Sequence, residues 1–399
     1  MRQRIRVYSC FLISLFLFLL GVTYAGESAA QATSEAAEAY PKHVLLFLAD
    51  GLGYEHLRAA SYYAYGVDDG LFMQSLPYGS SIATHSADEA ITDSAAAGTA
   101  ISTGYKVNNG VLAQAIPGDT HELPTILEYY QQHCWGTALV TNTSITHATP
   151  AAFGAHEFSR ANFVEIAHDY LYQTKPNILL GGGASGMTVN DAVAAGYLVA
   201  TNRTGLEVLS PIAHIKLSGQ FGNNHMDFEY DYMTGQSTMY DTMPHLTEMV
   251  EQTLRLLDND VYEGTFVMIE GGRIDHAGHL NSLSKLIEEV LAFDESIQIA
   301  YEWAQNKDDV LIVVTSDHET GNLMVLENNG VGQYPTHAWG TTNHTAEDVP
   351  VFGWGVNAHL IVDVRDNTDV YDVLRAGQPA PPPFCWLDEA NYLPVAVSP

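Results

Sequence analysis

Residues 270–279 hold Glu270, Asp275, His276 and His279, two carboxylates and two histidines in ten positions. Asp275 and His279 are four apart, so a helical turn puts both on one face, where a cation fits between carboxylate and imidazole. Surface ion pairs use the same spacing; the density of this cluster is what favours a metal. Asp317-His318 closely follows the apolar run 310–315. Buried there, charged groups must be paired or metal-bound; the other reading is an exposed turn. Asp50 ends the run 43–49 and precedes Gly51, which lets the chain turn sharply. By itself Asp50 also fits a helix cap. Thr92-Asp93-Ser94-Ala95-Ala96-Ala97 reads as the start of a small-residue helix. Ser94 alone reads first as the cap. The alternative is a nucleophile, with the helix end favouring the anion it attacks. With 17 histidines beside 47 acids, the metal chemistry open to the chain is that of oxygen and nitrogen ligands.

These residues need elements to bring them together. Apolar runs at 43–49, 137–141, 177–180, 265–269 and 310–315 predict strands, and helical patterns at 123–133, 163–172, 245–258 and 280–303 alternate with them. The alternation predicts an α/β fold, a central, mostly parallel sheet flanked by helices on both faces. Three of the strands end at or just before Asp50, Glu270 and Asp317. Open α/β sheets bind ligands beyond the carboxyl ends of their strands, so the three acids are expected at one edge. Residues 205–243 are mixed and aromatic and read as an insertion or irregular connection. Residues 378–399, with Pro379-Ala380-Pro381-Pro382-Pro383, read as a wrapped extension of a single domain over 41–399. The run 181–186 has the glycine spacing of a dinucleotide turn, but no acid follows about 20 residues on; it reads as a tight glycine turn. No G-x-S-x-G segment is present, which counts against an α/β-hydrolase.

The chain has 399 residues, 46% of them apolar, enough for a sizeable core. Sixteen cations against 47 acids give a net charge of −31, which argues against a nucleic-acid-binding groove. Three cysteines exclude a disulfide scaffold or a cysteine-rich zinc module. Arg2, Arg4 and Arg6, the apolar run 11–20 and small residues at 23 and 25 read as a secretory signal peptide, 1–25, cleaved after Ala25. The apolar run is short for a membrane span. The expectation is export to a periplasmic or extracellular space with no stable membrane anchor, and a flexible lead-in over 26–40. Cys134 and Cys385 then remain, as a disulfide or as two buried thiols.

Taken together, the segments resemble the alkaline phosphatase family. Leu46-Phe47-Leu48-Ala49-Asp50-Gly51 is similar to its first metal strand and Thr92-Asp93-Ser94-Ala95-Ala96 to its nucleophile segment. Ile145-Thr146-His147-Ala148-Thr149-Pro150, His156-Glu157-Phe158-Ser159-Arg160, the run 270–279 and Thr315-Ser316-Asp317-His318-Glu319-Thr320-Gly321 follow in the family's order, from about 42 to 355.

The resemblance implies a secreted phosphate monoester hydrolase, active at alkaline pH, with two zincs and one magnesium, and a homodimer. One zinc would take Asp275, His279 and His344, with His344 preferred to His337. The other would take Asp50, Asp317, His318 and the Ser94 oxygen. Magnesium would take Asp50, Thr149, Glu270 and waters. Ser94 would form a phosphoserine, hydrolysed by a zinc-bound hydroxide, and Arg160 would clamp phosphate, with Asp93 beside the nucleophile. His147 and His276 stand where some bacterial members carry Asp and Lys. The resemblance then implies weaker retention of phosphate and faster product release.

Overall fold

The computed structural model describes residues 40–383, except 238, 240 and 241, together with residue 385. The signal-peptide reading, all but the last residue of the lead-in and most of the C-terminal extension lie outside the described residues. In chain order the strands are β1 (His43–Ala49), β2 (Tyr78–Ile82), β3 (Gly136–Ser144), β4 (Ile178–Gly183), β5 (Leu198–Ala200), β6 (Leu217–Asn223), β7 (Thr265–Glu270), β8 (Val310–Ser316), β9 (Glu319–Thr320), β10 (Leu323–Glu327), β11 (Thr336–Trp339), β12 (His344–Thr345) and β13 (Val349–Gly355).

Nine of them form one sheet in the order β2-β13-β8-β1-β7-β3-β4-β6-β5. Neighbours from β8 to β5 pair in parallel, and β13 runs antiparallel between β8 and β2. The fold is therefore the expected α/β arrangement. β1 shows why both faces must be covered: after His43 every residue of HVLLFLA is buried. Strand alternation sends Leu45 and Phe47 into one core and Val44, Leu46 and Leu48 into the other. On the first face lie the helices Tyr54–Tyr65, Leu246–Leu257 and Leu283–Ala304. On the second lie Ile126–Gln132, Ala148–Gly154 and Asp369–Arg375.

The stretch read as an insertion or irregular connection, 205–243, contains β6, which pairs with β4 and β5. Its two glycines and polar Ser218 and Gln220 hide the apolar run of a strand whose outer neighbour has only three residues. The helix expected over 163–172 is α-helical at Phe163–His168 and continues as a wider π-type turn over Asp169–Gln173. Cys134 and Cys385 are joined as a disulfide, their Cα atoms 5.3 Å apart. Among the described residues no helix is long and apolar enough to cross a membrane.

Candidate metal centre and nucleophile

Register sets the site. Leu48 lies opposite Glu270 on one side and Thr315 on the other, and Ala49 opposite Ser316, so β1, β7 and β8 end level and present Asp50, Glu270 and Asp317 together. The turn after Asp50 requires Gly51: its φ is +80°, and a Cβ there would stand 2.7 Å from the Asp275 Cα. Gly51 N donates to Asp317 Oδ1 at 3.0 Å, which ties the first acid's turn to the third acid. His318 N donates to the same oxygen at 2.9 Å. Glu270 Oε2 accepts from Thr143 Oγ1 at 3.1 Å and from Thr141 Oγ1. Each of these two acids thus has one oxygen engaged. Asp317 Oδ2, Glu270 Oε1 and both oxygens of Asp50 are buried without a hydrogen bond, as are Thr149 Oγ1 and His147 Nδ1.

Three groups of donors converge here: Asp275, His279 and His344; Asp50, Asp317 and His318; and Asp50, His147 and Glu270. In the first, His344 Nε2 lies 3.2 Å from His279 Nε2 and 3.5 Å from Asp275 Oδ1. The other ring nitrogens face carbonyls, His279 Nδ1 at 2.6 Å from Thr342 O and His344 Nδ1 at 2.9 Å from Thr92 O. Carbonyls only accept, so both Nδ1 atoms carry protons, and both Nε2 atoms are turned to the Asp275 carboxylate, the side on which a cation would replace their protons. His337 lies on β11, its Nδ1 at 3.1 Å from Pro335 O, and joins none of the three groups. His344 is the histidine the fold brings in.

The electrostatics call for cations. Burial, then Asp317, Asp275 and Glu270, push the Asp50 carboxyl well above the usual range. Burial likewise drives Asp317 up to about 7. Burial also raises Asp275, but hydrogen bonds from His279 and His344 overcome it and hold Asp275 well below its ordinary value. In Glu270 the upward push of burial is outweighed by His147, with Thr141 and Thr149 adding to the fall. So many carboxylates cannot stay ionised in a dry site without positive partners. The set Asp-His-His suits zinc, and an oxygen-rich set of Asp50, Glu270 and Thr149 suits magnesium. The residues present fit both ions.

Ser94 meets this cluster at the start of the helix Ser94–Thr103. Asp93, not Ser94, is the cap: Asp93 Oδ1 accepts from Ala96 N at 3.0 Å. That leaves the buried Ser94 hydroxyl out of the cap and hydrogen-bonded to His318 Nε2 at 3.4 Å. The same Nε2 is 3.3 Å from Asp317 Oδ2 and 3.5 Å from Asp50 Oδ1. Asp93 Oδ2 accepts from Arg160 Nη1 at 2.9 Å, and Arg160 Nη2 donates to His147 Nε2 at 3.4 Å. The guanidinium therefore stands beside the serine, about three-tenths exposed.

Sequence reasoning passed over three supports. His225, two residues after β6, accepts from Ser144 N at 3.1 Å and packs its ring 4.5 Å from that of His276 and 5.4 Å from that of His147. Arg273 Nη1 donates to His276 Nδ1 at 2.7 Å. Asn142 Oδ1 accepts from Gly272 N and Arg273 N. The polar run Thr141-Asn142-Thr143-Ser144 at a strand end was the available signal; lone His225 gave none.

Comparison with known proteins agrees with this geometry. The family description "Alkaline phosphatase" matches residues 41–209 and 187–335. The chain is 32% identical over 380 residues to the repressible alkaline phosphatase of Saccharomyces cerevisiae, covering 85% of this chain and 64% of that one. It is 30% identical over 315 residues to alkaline phosphatase 3 of Bacillus subtilis, covering 75% and 65%. Among solved structures, the alkaline phosphatase from the Antarctic bacterium TAB5 superposes with a TM-score of 0.73 at 26% identity, over 85% of this chain and 98% of that one. The chain thus spans a little under two thirds of the length of the two curated relatives. With most of its length matched by the family description, the chain belongs to the alkaline phosphatase family.

Proposed function

We propose that this chain is an exported phosphate monoester hydrolase that works through a phosphoserine on Ser94. The observation that carries the reading is the Ser94 hydroxyl, released from the helix cap and hydrogen-bonded to His318 Nε2 at 3.4 Å, where the donor groups meet and Arg160 approaches. Two zincs, on Asp275, His279 and His344 and on Asp50, Asp317 and His318, and a magnesium on Asp50, Thr149 and Glu270 would supply Lewis acidity for the attacking and leaving oxygens and lower the pKa of serine and water. A TAB5 alkaline phosphatase variant with a histidine replaced by Asp has Mg bound in its M3 site, a precedent for a third ion in this fold.

The chain's own residues do the rest. Asp93 caps the helix and leaves the Ser94 oxygen available for attack on phosphorus. Arg160, braced by Asp93, offers its remaining donors to the non-bridging oxygens of the phosphate. His147 and His276 lie beside the phosphate region, their rings 5.6 Å apart and His147 Nε2 accepting from Arg160 Nη2. The leaving alcohol departs opposite Ser94, and attack of water on the phosphoserine returns the serine and inorganic phosphate. A homodimer and a periplasmic or extracellular setting complete the reading.

The test is hydrolysis of p-nitrophenyl phosphate against bis(p-nitrophenyl) phosphate at alkaline pH. Chelator, then zinc and magnesium, should abolish and restore turnover. Monoester turnover with a trappable phosphoserine, lost in Ser94→Ala, is the expected result. Preference for the diester would make the chain a phosphodiesterase, and no turnover with metals bound would reduce it to a metal-binding protein.

A further inference from the structure

His156 opens the segment that carries Arg160, and its side chain is 4% exposed. Nδ1 lies 3.0 Å from the carbonyl oxygen of Ala113, which only accepts. Nε2 lies 3.2 Å from Glu128 Oε2. Against an ionised Glu128 both ring nitrogens donate, which an imidazole does only as the imidazolium. Glu128 is itself fixed, since its Oε2 accepts from Thr125 N at 2.9 Å in the cap of the helix Ile126–Gln132.

A short ladder leads from this ring to the arginine. Gln114 Nε2 donates to His156 O at 2.9 Å. Leu112 and Glu157 exchange backbone hydrogen bonds at 2.8 and 2.9 Å, and Arg160 N donates to Gly110 O at 2.8 Å. Gly110 N donates to Asp93 Oδ1 at 2.9 Å, and the other oxygen of Asp93 holds the Arg160 guanidinium.

We propose that His156 and Glu128 form a clamp that positions Arg160 for phosphate, closed while the ring is an imidazolium and loosened in the alkaline range. What Arg160 binds rests on the phosphatase reading above; the buried ion pair does not. Loss of the proton turns one ring nitrogen into a lone pair facing an acceptor and leaves Glu128 without its partner. The groups facing the ring are all acids: Glu128, Glu122 from the preceding loop, and Asp169, which accepts from His156 N at 3.0 Å on the other side. Burial opposes the charge, but the hydrogen bond and field of Glu128 lift the imidazole to about 9. Because the folded value lies above the ordinary 6.5, the stabilisation is complete below that pH and lost as pH rises through about 9.

Two variants of the metal-loaded full chain test this. Glu128→Gln removes the charge and keeps an amide oxygen for the Thr125 cap; His156→Gln replaces the ring by a donor that does not titrate. In the wild type, inhibition by inorganic phosphate should weaken about fivefold across pH 9. In both variants it should already be about fivefold weaker at pH 8 and match the wild type by pH 10.5. Arg160→Ala should abolish the transition, and adding Glu128→Gln to it should weaken phosphate no further. Melting temperatures give a readout independent of activity: the gap between wild type and Glu128→Gln should be widest near pH 7 and close by pH 10.5. A gap that does not change with pH overturns the buried imidazolium. A gap that closes as expected, with phosphate inhibition equal in all proteins, overturns the link to Arg160. A wild type neither hydrolysing phosphoesters nor inhibited by phosphate sinks the phosphatase reading and the phosphate half of the proposal, while the melts still decide the ion pair.

Discussion

Asp93 Oδ2 and Arg160 Nη1 are 2.9 Å apart, and the partner oxygen of the same carboxylate caps the helix that begins at Ser94. One side chain thus sets the position of both Ser94 and Arg160. Asp93→Ala should cost about 1–2 kcal/mol of stability through the lost cap. It should also weaken phosphate inhibition, because the guanidinium loses its brace. Asp93→Asn keeps an acceptor for Ala96 N and should recover most of the stability but less of the phosphate affinity. Thermal melts and inhibition constants, measured on both variants, separate the two roles.

Ser94→Ala should lower turnover of p-nitrophenyl phosphate by about 10³-fold or more, since the attacking oxygen is gone. The hydroxyl accounts for little packing, so the melting temperature should change by little. Single-turnover labelling with radioactive phosphate should show no covalent phosphoenzyme. Near-full activity would remove Ser94 from the mechanism.

Removal of the ions should destabilise the chain in a pH-dependent way. In the metal-free protein Asp317 is pushed up to about 7, and Asp50 well above its ordinary range. An acid with a raised folded pKa binds its proton more tightly when folded, so stability falls as pH climbs from about 4 through about 7 on account of Asp317. Chelated protein should therefore melt lower at pH 8 than at pH 5. With zinc and magnesium restored, that decline should disappear. Equal melting of chelated and loaded protein at pH 8 would argue against the ions.

His276→Lys should tighten inhibition by phosphate a few-fold at neutral pH, and the gain should fade as pH rises. The position is largely buried, and its Nδ1 lies 2.7 Å from Arg273 Nη1. Burial and that guanidinium lower His276 to about 2, and the same two causes would lower a lysine there. Phosphate inhibition that is unchanged at pH 7, or equally tight at pH 7 and 10, would contradict the assignment.

Much of this was legible in the chain because the site hangs on strand ends. Runs such as 43–49 and 310–315 are buried on both faces, so they read as continuous apolar blocks, and the acid that follows each marks its carboxyl end. Asp275 and His279 were legible through helical spacing. What escaped lay where packing overrides local pattern. β6 carries glycines and polar residues, and only its neighbours β4 and β5 make it a strand. Ser94 looked like a cap because serine and aspartate are nearly equal at that position, and only the geometry shows Asp93 doing it. Tertiary pairs such as Arg273 with His276 leave no separate trace in a linear pattern.

The sheet order also bears on when the site is assembled. β1 is flanked by β7 and β8, strands that begin at Thr265 and Val310, so neither neighbour of the first strand exists until well over two hundred further residues have been made. Donors brought together at the sheet edge run from Asp50 to His344. Pairing over such separations makes for slow folding, because the chain must close long loops before the contacts reward it. The donors that the proposed ions would need therefore converge late, once the strands ending at Glu270 and Ser316 have docked on either side of β1.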